Sequence, residues 1–296
     1  MTTFVQELAN RMLSGAAPVV VGLDPRPAAL PADLEPNSPD PDRFVAFYRA
    51  ALPVLARHIP VVKPNIAFFE CYGHTGFKAY ETVCGLARDA GLLVIGDIKR
   101  GDIGSTAEAY AQGHFDWADA VTLHPYLGSD SLDPFLRRCA PDAGGKGVFV
   151  LVRTSNPGAK ELQDLTLASS DAVGEQKVCD AVARAVDLLG QDLPRYEGYS
   201  PVGAVVGATW PGELERLRAL LPSAWILLPG VGAQGGRIED LRAAFDERGL
   251  GALVNQSRGI MQVFDPADAD WLQKVETAAA DFAASCRTVA QSAAKA

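Results

Sequence analysis

Cysteines in metal-ligand or disulfide-framework spacing are missing from this chain. Cys71, Cys84, Cys139, Cys179 and Cys286 are scattered and odd in number, with no CxxC and no Cys/His cluster. That leaves no signature of a structural zinc site and fits reduced thiols in a cytoplasm. No apolar run approaches the ~18 residues of a membrane span. The N-terminus lacks the charged-then-apolar order of a signal peptide. Instead Phe4, Leu8 and Met12 fall four apart with Glu7 and Arg11 between them, the pattern of a short amphipathic helix. Positive charge is in deficit: 27 Lys and Arg against 36 Asp and Glu give a net charge of −9. This argues against non-specific binding to nucleic acid or an anionic membrane. It leaves room for an anionic small substrate, which a few local arginines and backbone amides suffice to hold. There is no low-complexity tract, short-period repeat or linker-like segment, so residues 1–296 read as one soluble, cytoplasmic domain.

What is present is an ordinary globular composition, 48% hydrophobic and 21% charged, arranged as alternating short apolar runs and helical-length segments. The candidate strands are 18–24, 60–66, 92–98, 119–124, 147–153, 203–208, 225–230 and 251–256. Most are continuously apolar, as parallel strands covered on both faces must be. Candidate helices occupy 41–57, 76–90, 105–117, 129–140, 171–190, 211–221, 236–248 and 266–292. In the 171–190 segment, Val178, Val182, Val186 and Leu189 share one face. Eight strand–helix units over about 270 residues predict an α/β fold, a single (β/α)₈ TIM barrel over about 18–261 with an N-terminal helix before it and the 266–292 helix after it. An open doubly wound sheet is the alternative. Against it, DPRPAALP after the first strand is not a Gly-rich dinucleotide turn, and no GxGxxG opens a helix.

In such a barrel the site lies at the C-terminal ends of the strands. The polar residues ending the apolar runs are Asp24, Lys63 with Asn65, Asp97 with Lys99, His124, Thr154 with Ser155, the Gly230–Gln234 loop, and Asn255 to Arg258. VIGDIKRGDIGSTAEAY (94–110) is the sharpest segment. Asp97 and Lys99, two apart at a strand end, are expected on the same face. Flanking carboxylates would hold an ammonium charged and fixed, ready to give up a proton. A surface charge cluster, with Ser105 or Thr106 capping the next helix, is the plainer reading. The glycines of PGVGAQGGR (229–237), among them Gly232 and Gly235, would let the backbone approach an anion, and a following helix N-terminus would offer free N–H groups. A salt bridge at a helix start is the alternative for Arg258, a turn start for Asp24 and an ST-turn for Ser155. His124 reads as a scaffold residue, and Met261, Phe68, Phe69 and Trp210 as packing.

DIKRGDIGST resembles the Asp-x-Lys-x-x-Asp signature of the orotidine 5′-monophosphate decarboxylases. VGLD and KPN before it, and TSNPGA, PGVGAQGG and SRGI after it, fall in the order of that family, and TSNPGA and VNxSRGI look most like its longer-chain bacterial subgroup. The resemblance covers about residues 18–261 and implies decarboxylation of orotidine 5′-monophosphate to UMP with no metal or other cofactor. It implies Lys99 as proton donor to C6, Asp97 beside the substrate carboxylate, and Lys63 on the ribose. Asp24 would bind a ribose hydroxyl, and Ser155 the pyrimidine. Gln234 would bridge phosphate and the loop covering the base, and Arg258 would hold the phosphate. The resemblance also implies a homodimer in which Asp102, with Ile103 and Thr106, enters the partner's site. Two other classes stay open: a metal-dependent keto-sugar phosphate decarboxylase sharing Asp-x-Lys-x-x-Asp, and an inactive nucleotide-binding barrel. A Schiff-base lysine is disfavoured, because adjacent carboxylates raise its pKa.

Overall fold

The structure, a computed structural model, describes residues 2–168, 176–209, 211–232 and 235–293. Ten strands occur among them: β1 Val19–Leu23, β2 Val61–Pro64, β3 Leu93–Arg100, β4 Ala120–Leu123, β5 Gly147–Arg153, β6 Thr166–Leu167, β7 Gln176–Lys177, β8 Val202–Val206, β9 Ile226–Leu228 and β10 Ala252–Gln256. All but β6 and β7 close into a parallel barrel in the order β1-β10-β9-β8-β5-β4-β3-β2. The eight barrel strands are the eight expected, each within a few residues. β6 and β7 form a separate antiparallel pair in the connection after β5.

The continuous apolar runs divide between two cores by the two-residue period of a strand. Val20, Val61, Leu93, Ile95, Phe149, Leu151, Val205, Leu227 and Leu253 form the inner cluster. Their neighbours Val19, Val21, Val62, Val94, Val121, Val148 and Val150 face the surrounding helices. Those helices are α2 Asp40–Leu55, α3 Ala67–Glu70, α4 Gly73–Asp89, α5 Gly104–Trp117, α6 Asp133–Leu136, α7 Lys160–Gln163, α8 Val178–Leu189, α9 Pro211–Leu220, α10 Arg258–Met261 and α11 Trp271–Ala293. The last packs Trp271, Val275, Ala279 and Phe282 onto the barrel flank beside α2. None of the helices among the described residues is long and apolar enough to cross a membrane.

The N-terminal helix, α1 Phe4–Leu13, is fixed by a capping box: Gln6 N donates to Thr3 Oγ1 and Thr3 N donates to Gln6 Oε1. Its Phe4, Val5, Leu8, Ala9 and Met12 join the inner cluster, with Phe4 meeting Phe149 edge-on at 6.1 Å. The helix thereby closes the barrel floor.

Three expected helices differ. The 129–140 segment is one α-turn between two 3₁₀ turns, Ser129–Ser131 and Arg137–Cys139, and Pro134 in its middle has no N–H to extend a ladder. The 236–248 segment is a 3₁₀ stretch, Ile238–Ala244. The helix expected from 171 begins at Val178, with residues 171–175 outside the described ones, and it buries Cys179, Ala183 and Val186 while Val178 and Val182 stay half-buried. Trp210 also lies outside the described residues, whereas Phe69 and Met261 are core and Phe68 is partly buried.

Candidate active site

The strand ends converge on a buried charge array. Lys63 and Asp97 are each 6% exposed, and Lys63 Nζ donates to Asp97 Oδ2 at 2.5 Å. Lys99 Nζ donates to the other oxygen, Oδ1, while its own side chain remains 45% exposed. Burial alone would raise the Asp97 carboxyl, but the ammoniums of Lys63 and Lys99 outweigh it and hold Asp97 well below the usual carboxylate range. For Lys63, burial works toward neutrality, and Asp97 and Asp24 reverse it, so its pKa is raised. Lys63 and Asp97 therefore both keep their charges although they are buried.

Asp97 and Lys99 do meet, but not by simple pleating. The register between β3 and β4 shifts between Gly96 and Arg100, and Lys99 takes a left-handed backbone with φ +46°. Thr122 on β4, 2% exposed, supports this break. Its Oγ1 accepts the N–H groups of Ile98 and Lys99, both at 3.0 Å, and donates to Asp97 Oδ1 at 3.1 Å. The sequence gives no hint of this role, because in DAVTLH a threonine reads as an ordinary β-branched strand residue.

The array opens into a cavity of about 1120 Å³, walled on its polar side by Lys63, Asp97, Lys99, Thr122, His124, Thr154 and Ser155. Leu151, Val205, Leu227, Val178 and Val182 give it an apolar side. His124 is on the wall, and burial together with Lys99 lowers its pKa. Ser155 is half-buried and packs against Gly207, where a Cβ would come within 3.0 Å of it.

Asp24 stands beside this wall, off the end of β1. Gly22 permits the approach: a Cβ there would lie 1.9 Å from Ser257 Oγ at the end of β10. Asp24 Oδ1 and Asn255 Oδ1 are buried acceptors with no hydrogen-bond partner among the described residues. Such groups are costly unless a donor is supplied.

The remaining candidates among the described residues lie off the cavity wall. Arg258 is exposed at the start of α10, with no ion-pair partner among the described residues. Gln234 falls outside the described residues. In the glycine loop the N–H groups of Gly232, Gly235 and Gly236 donate to Gly236, Gly232 and Gly230 carbonyls, so these amides are engaged within the loop. The element that follows is 3₁₀, a shorter dipole than the helix N-terminus expected there. Gly101 reaches the wall but Asp102, Ile103 and Thr106 do not. Asp102 Oδ1 instead accepts the Ile103 N–H at 2.8 Å, and Ile103 is 57% exposed.

Sequence reasoning also missed Arg153. Wholly buried at the end of β5, it reaches Glu213 of α9 at 3.0 Å, Asp164 at 3.2 Å and Gln163 at 3.2 Å. Gln163 in turn bonds the backbone and hydroxyl of Thr154, both at 2.9 Å. The segment beyond Ser155, which lines the cavity through Gly158, Ala159 and Leu162, is thereby tied to the barrel.

The profile of the orotidine 5′-phosphate decarboxylase / HUMPS family matches residues 18–269. An orotidine 5′-phosphate decarboxylase of Rhodopirellula baltica is 42% identical over 276 residues, covering 88% of this chain and 89% of the relative. Another, from Haloarcula marismortui, is 43% identical over 265 residues, covering 87% and 86%. Among solved structures, the Leishmania donovani OMP decarboxylase superposes with a TM-score of 0.77 at 33% identity, over 97% of this chain and 99% of that one. The Leishmania donovani UMP synthase gives 0.78 at 34% identity, over 98% of this chain and 57% of the longer one. The barrel, the Asp-x-Lys-x-x-Asp segment at its mouth and these matches agree, and the chain belongs to the orotidine 5′-phosphate decarboxylase / HUMPS family.

Proposed function

We propose that this chain is a single catalytic domain that decarboxylates orotidine 5′-monophosphate to UMP and CO₂, the last step of de novo pyrimidine synthesis, with no metal or organic cofactor. The observation that carries the reading is the buried Lys63–Asp97 pair, with the half-exposed Lys99 ammonium on the same carboxylate, on the cavity wall of a chain from this family.

Breaking the bond from C6 to the carboxyl carbon leaves its electron pair on C6, in an orbital that the ring does not delocalise. Lys99 Nζ, fixed and charged beside the cavity, stabilises that pair and then donates a proton to it. Asp97, kept ionised, faces the departing carboxylate and disfavours the ground state. Lys63 holds Asp97 and reaches the ribose, and the unpartnered Asp24 Oδ1 accepts from a ribose hydroxyl. Ser155 bonds the base. Arg258, Gln234 and the loop carrying Gly232 and Gly235 grip the phosphate, whose binding energy drives closure and water exclusion. For the glycine amides this requires the loop to exchange its internal bonds for phosphate oxygens.

The working unit in this reading is a cytoplasmic homodimer in which Asp102, Ile103 and Thr106 complete the partner's site. The exposure of Ile103 and the five unpaired thiols support it. The test is ultraviolet-monitored turnover of orotidine 5′-monophosphate by purified protein with EDTA throughout. Loss of substrate absorbance with CO₂ release supports the reaction and its metal independence. Binding of a uridine nucleotide without turnover would instead point to an inactive barrel. Activity on keto-sugar phosphates that needs Mg²⁺ would favour the metal-dependent branch.

A further inference from the structure

Lys99 is one of three non-glycine residues among those described with a positive φ, and the only one of them in a strand. A left-handed conformation is unfavourable for a side-chain-bearing residue, so it persists where neighbours over-determine it. The cause here is local. The β3–β4 register slips between Gly96 and Arg100, the stretch that holds the N–H groups of Ile98 and Lys99. Both turn to one side-chain oxygen, Thr122 Oγ1, at 3.0 Å each. A hydroxyl has two acceptor lone pairs and one proton. The two amides use the lone pairs, and the proton goes to Asp97 Oδ1 at 3.1 Å, the same oxygen that receives Lys99 Nζ. Thr122 is 2% exposed, so its hydroxyl is largely shielded from solvent.

We propose that Thr122 is the positioning residue of this site: its hydroxyl locks the left-handed turn that aims Lys99 and fixes the rotamer of the Asp97 carboxylate between the two lysines. The inference rests on the reading of Lys99 as proton donor. Thr122 itself touches no reacting atom in that reading; it lines the wall behind the array. Valine keeps the shape and β-branching but removes the acceptor and the proton, taking this partner from the buried Ile98 amide and the part-buried Lys99 amide. Serine retains the hydroxyl alone.

The test compares Thr122→Val and Thr122→Ser with the parent protein by steady-state turnover, melting temperature and the crystal structure of the valine variant. Thr122→Val is expected to lower kcat by roughly 10- to 100-fold with KM within about threefold, because positioning is lost but nucleotide contacts are not. Thr122→Ser is expected to recover most of kcat, and Lys99 in the valine variant to leave the left-handed region. If Thr122→Val does not fold, Thr122→Ala is measured in its place by the same criteria. A lower melting temperature with unchanged kcat, or Lys99 retaining its φ without the hydroxyl, overturns the proposal. If the parent protein does not turn over orotidine 5′-monophosphate, the substrate reading fails, and the position of Lys99 in the variant crystal still decides the role of Thr122.

Discussion

Lys99 holds its ammonium on Asp97 while almost half of its side chain still faces the cavity, so charge and access coexist in one group. Removing it should leave the phosphate and ribose contacts intact. Lys99→Ala is expected to lower turnover by about 10³-fold or more, while calorimetry still detects UMP binding. Near-normal turnover would remove Lys99 from the mechanism. His114 carries a different kind of information. It is 6% exposed on α5, stacked on Tyr110 and edge-on to Trp117, and its Nδ1 has no partner among the described residues. Burial, then the nearby Arg100, lowers its pKa to about 4. The unfolded state therefore takes up a proton near pH 6.5 that the folded state refuses until about pH 4, and stability falls as pH drops through that window. His114→Phe should flatten the melting temperature between those limits and spare up to about 3 kcal/mol of acid destabilisation. An unchanged pH profile would show that His114 is not the group responsible.

Among the elements, the connection after β5 is the one whose construction departs most from its appearance in sequence. By sequence alone, the residues from Pro157 to about Ser170 fit part of a lid and an ordinary insertion equally well. The structure anchors them through Arg153, whose guanidinium joins Asp164, Gln163 and Glu213, with Lys177 of β7 on the same two carboxylates. Removing one member of a buried ionic cluster strands the others. Arg153→Met is expected to cost about 3 kcal/mol and to speed amide hydrogen exchange at residues 160–167 well before the barrel strands exchange. Equal protection in both proteins would mean that the segment is held by something else. The anchor was illegible because GVFVLVR ends an apolar strand, where an arginine reads as the step into solvent. Its partners lie 10, 11 and 60 residues on. The eight barrel strands were legible because a run covered on both faces must be apolar throughout. Segments 129–140 and 236–248 have helical length but no sustained ladder, since length and polarity alone do not separate an α-helix from a chain of 3₁₀ turns. The Asp97–Lys99 pairing was visible as spacing. The slipped register that delivers it, and the hydroxyl of Thr122 that makes it tolerable, belong to a pair of strands and not to either one.

At the scale of the whole molecule, apolar side chains stand in solvent around the mouth: Ile103 at 57%, Tyr126 at 80% and Leu127 at 46% exposure, in the loops after β3 and β4. A protomer with such a rim gains by covering it. If the cover is a second copy that lends Asp102, then mixing Lys99→Ala with Asp102→Ala protein should restore activity in the heterodimer, which contains one site with neither change. At random assortment half of the dimers are mixed, so recovery of about a quarter of the parent activity per site is expected. No recovery from a mixture shown to have exchanged subunits would confine Asp102 to its own barrel. At the other end of the barrel, α1 seals the floor with Phe4, Leu8 and Met12. A vessel stoppered at the bottom is entered from the top, where the described residues enclose the cavity. In the proposed reaction, nucleotide entering and nucleotide leaving both use that end, so each turnover must empty the room before the next guest is admitted.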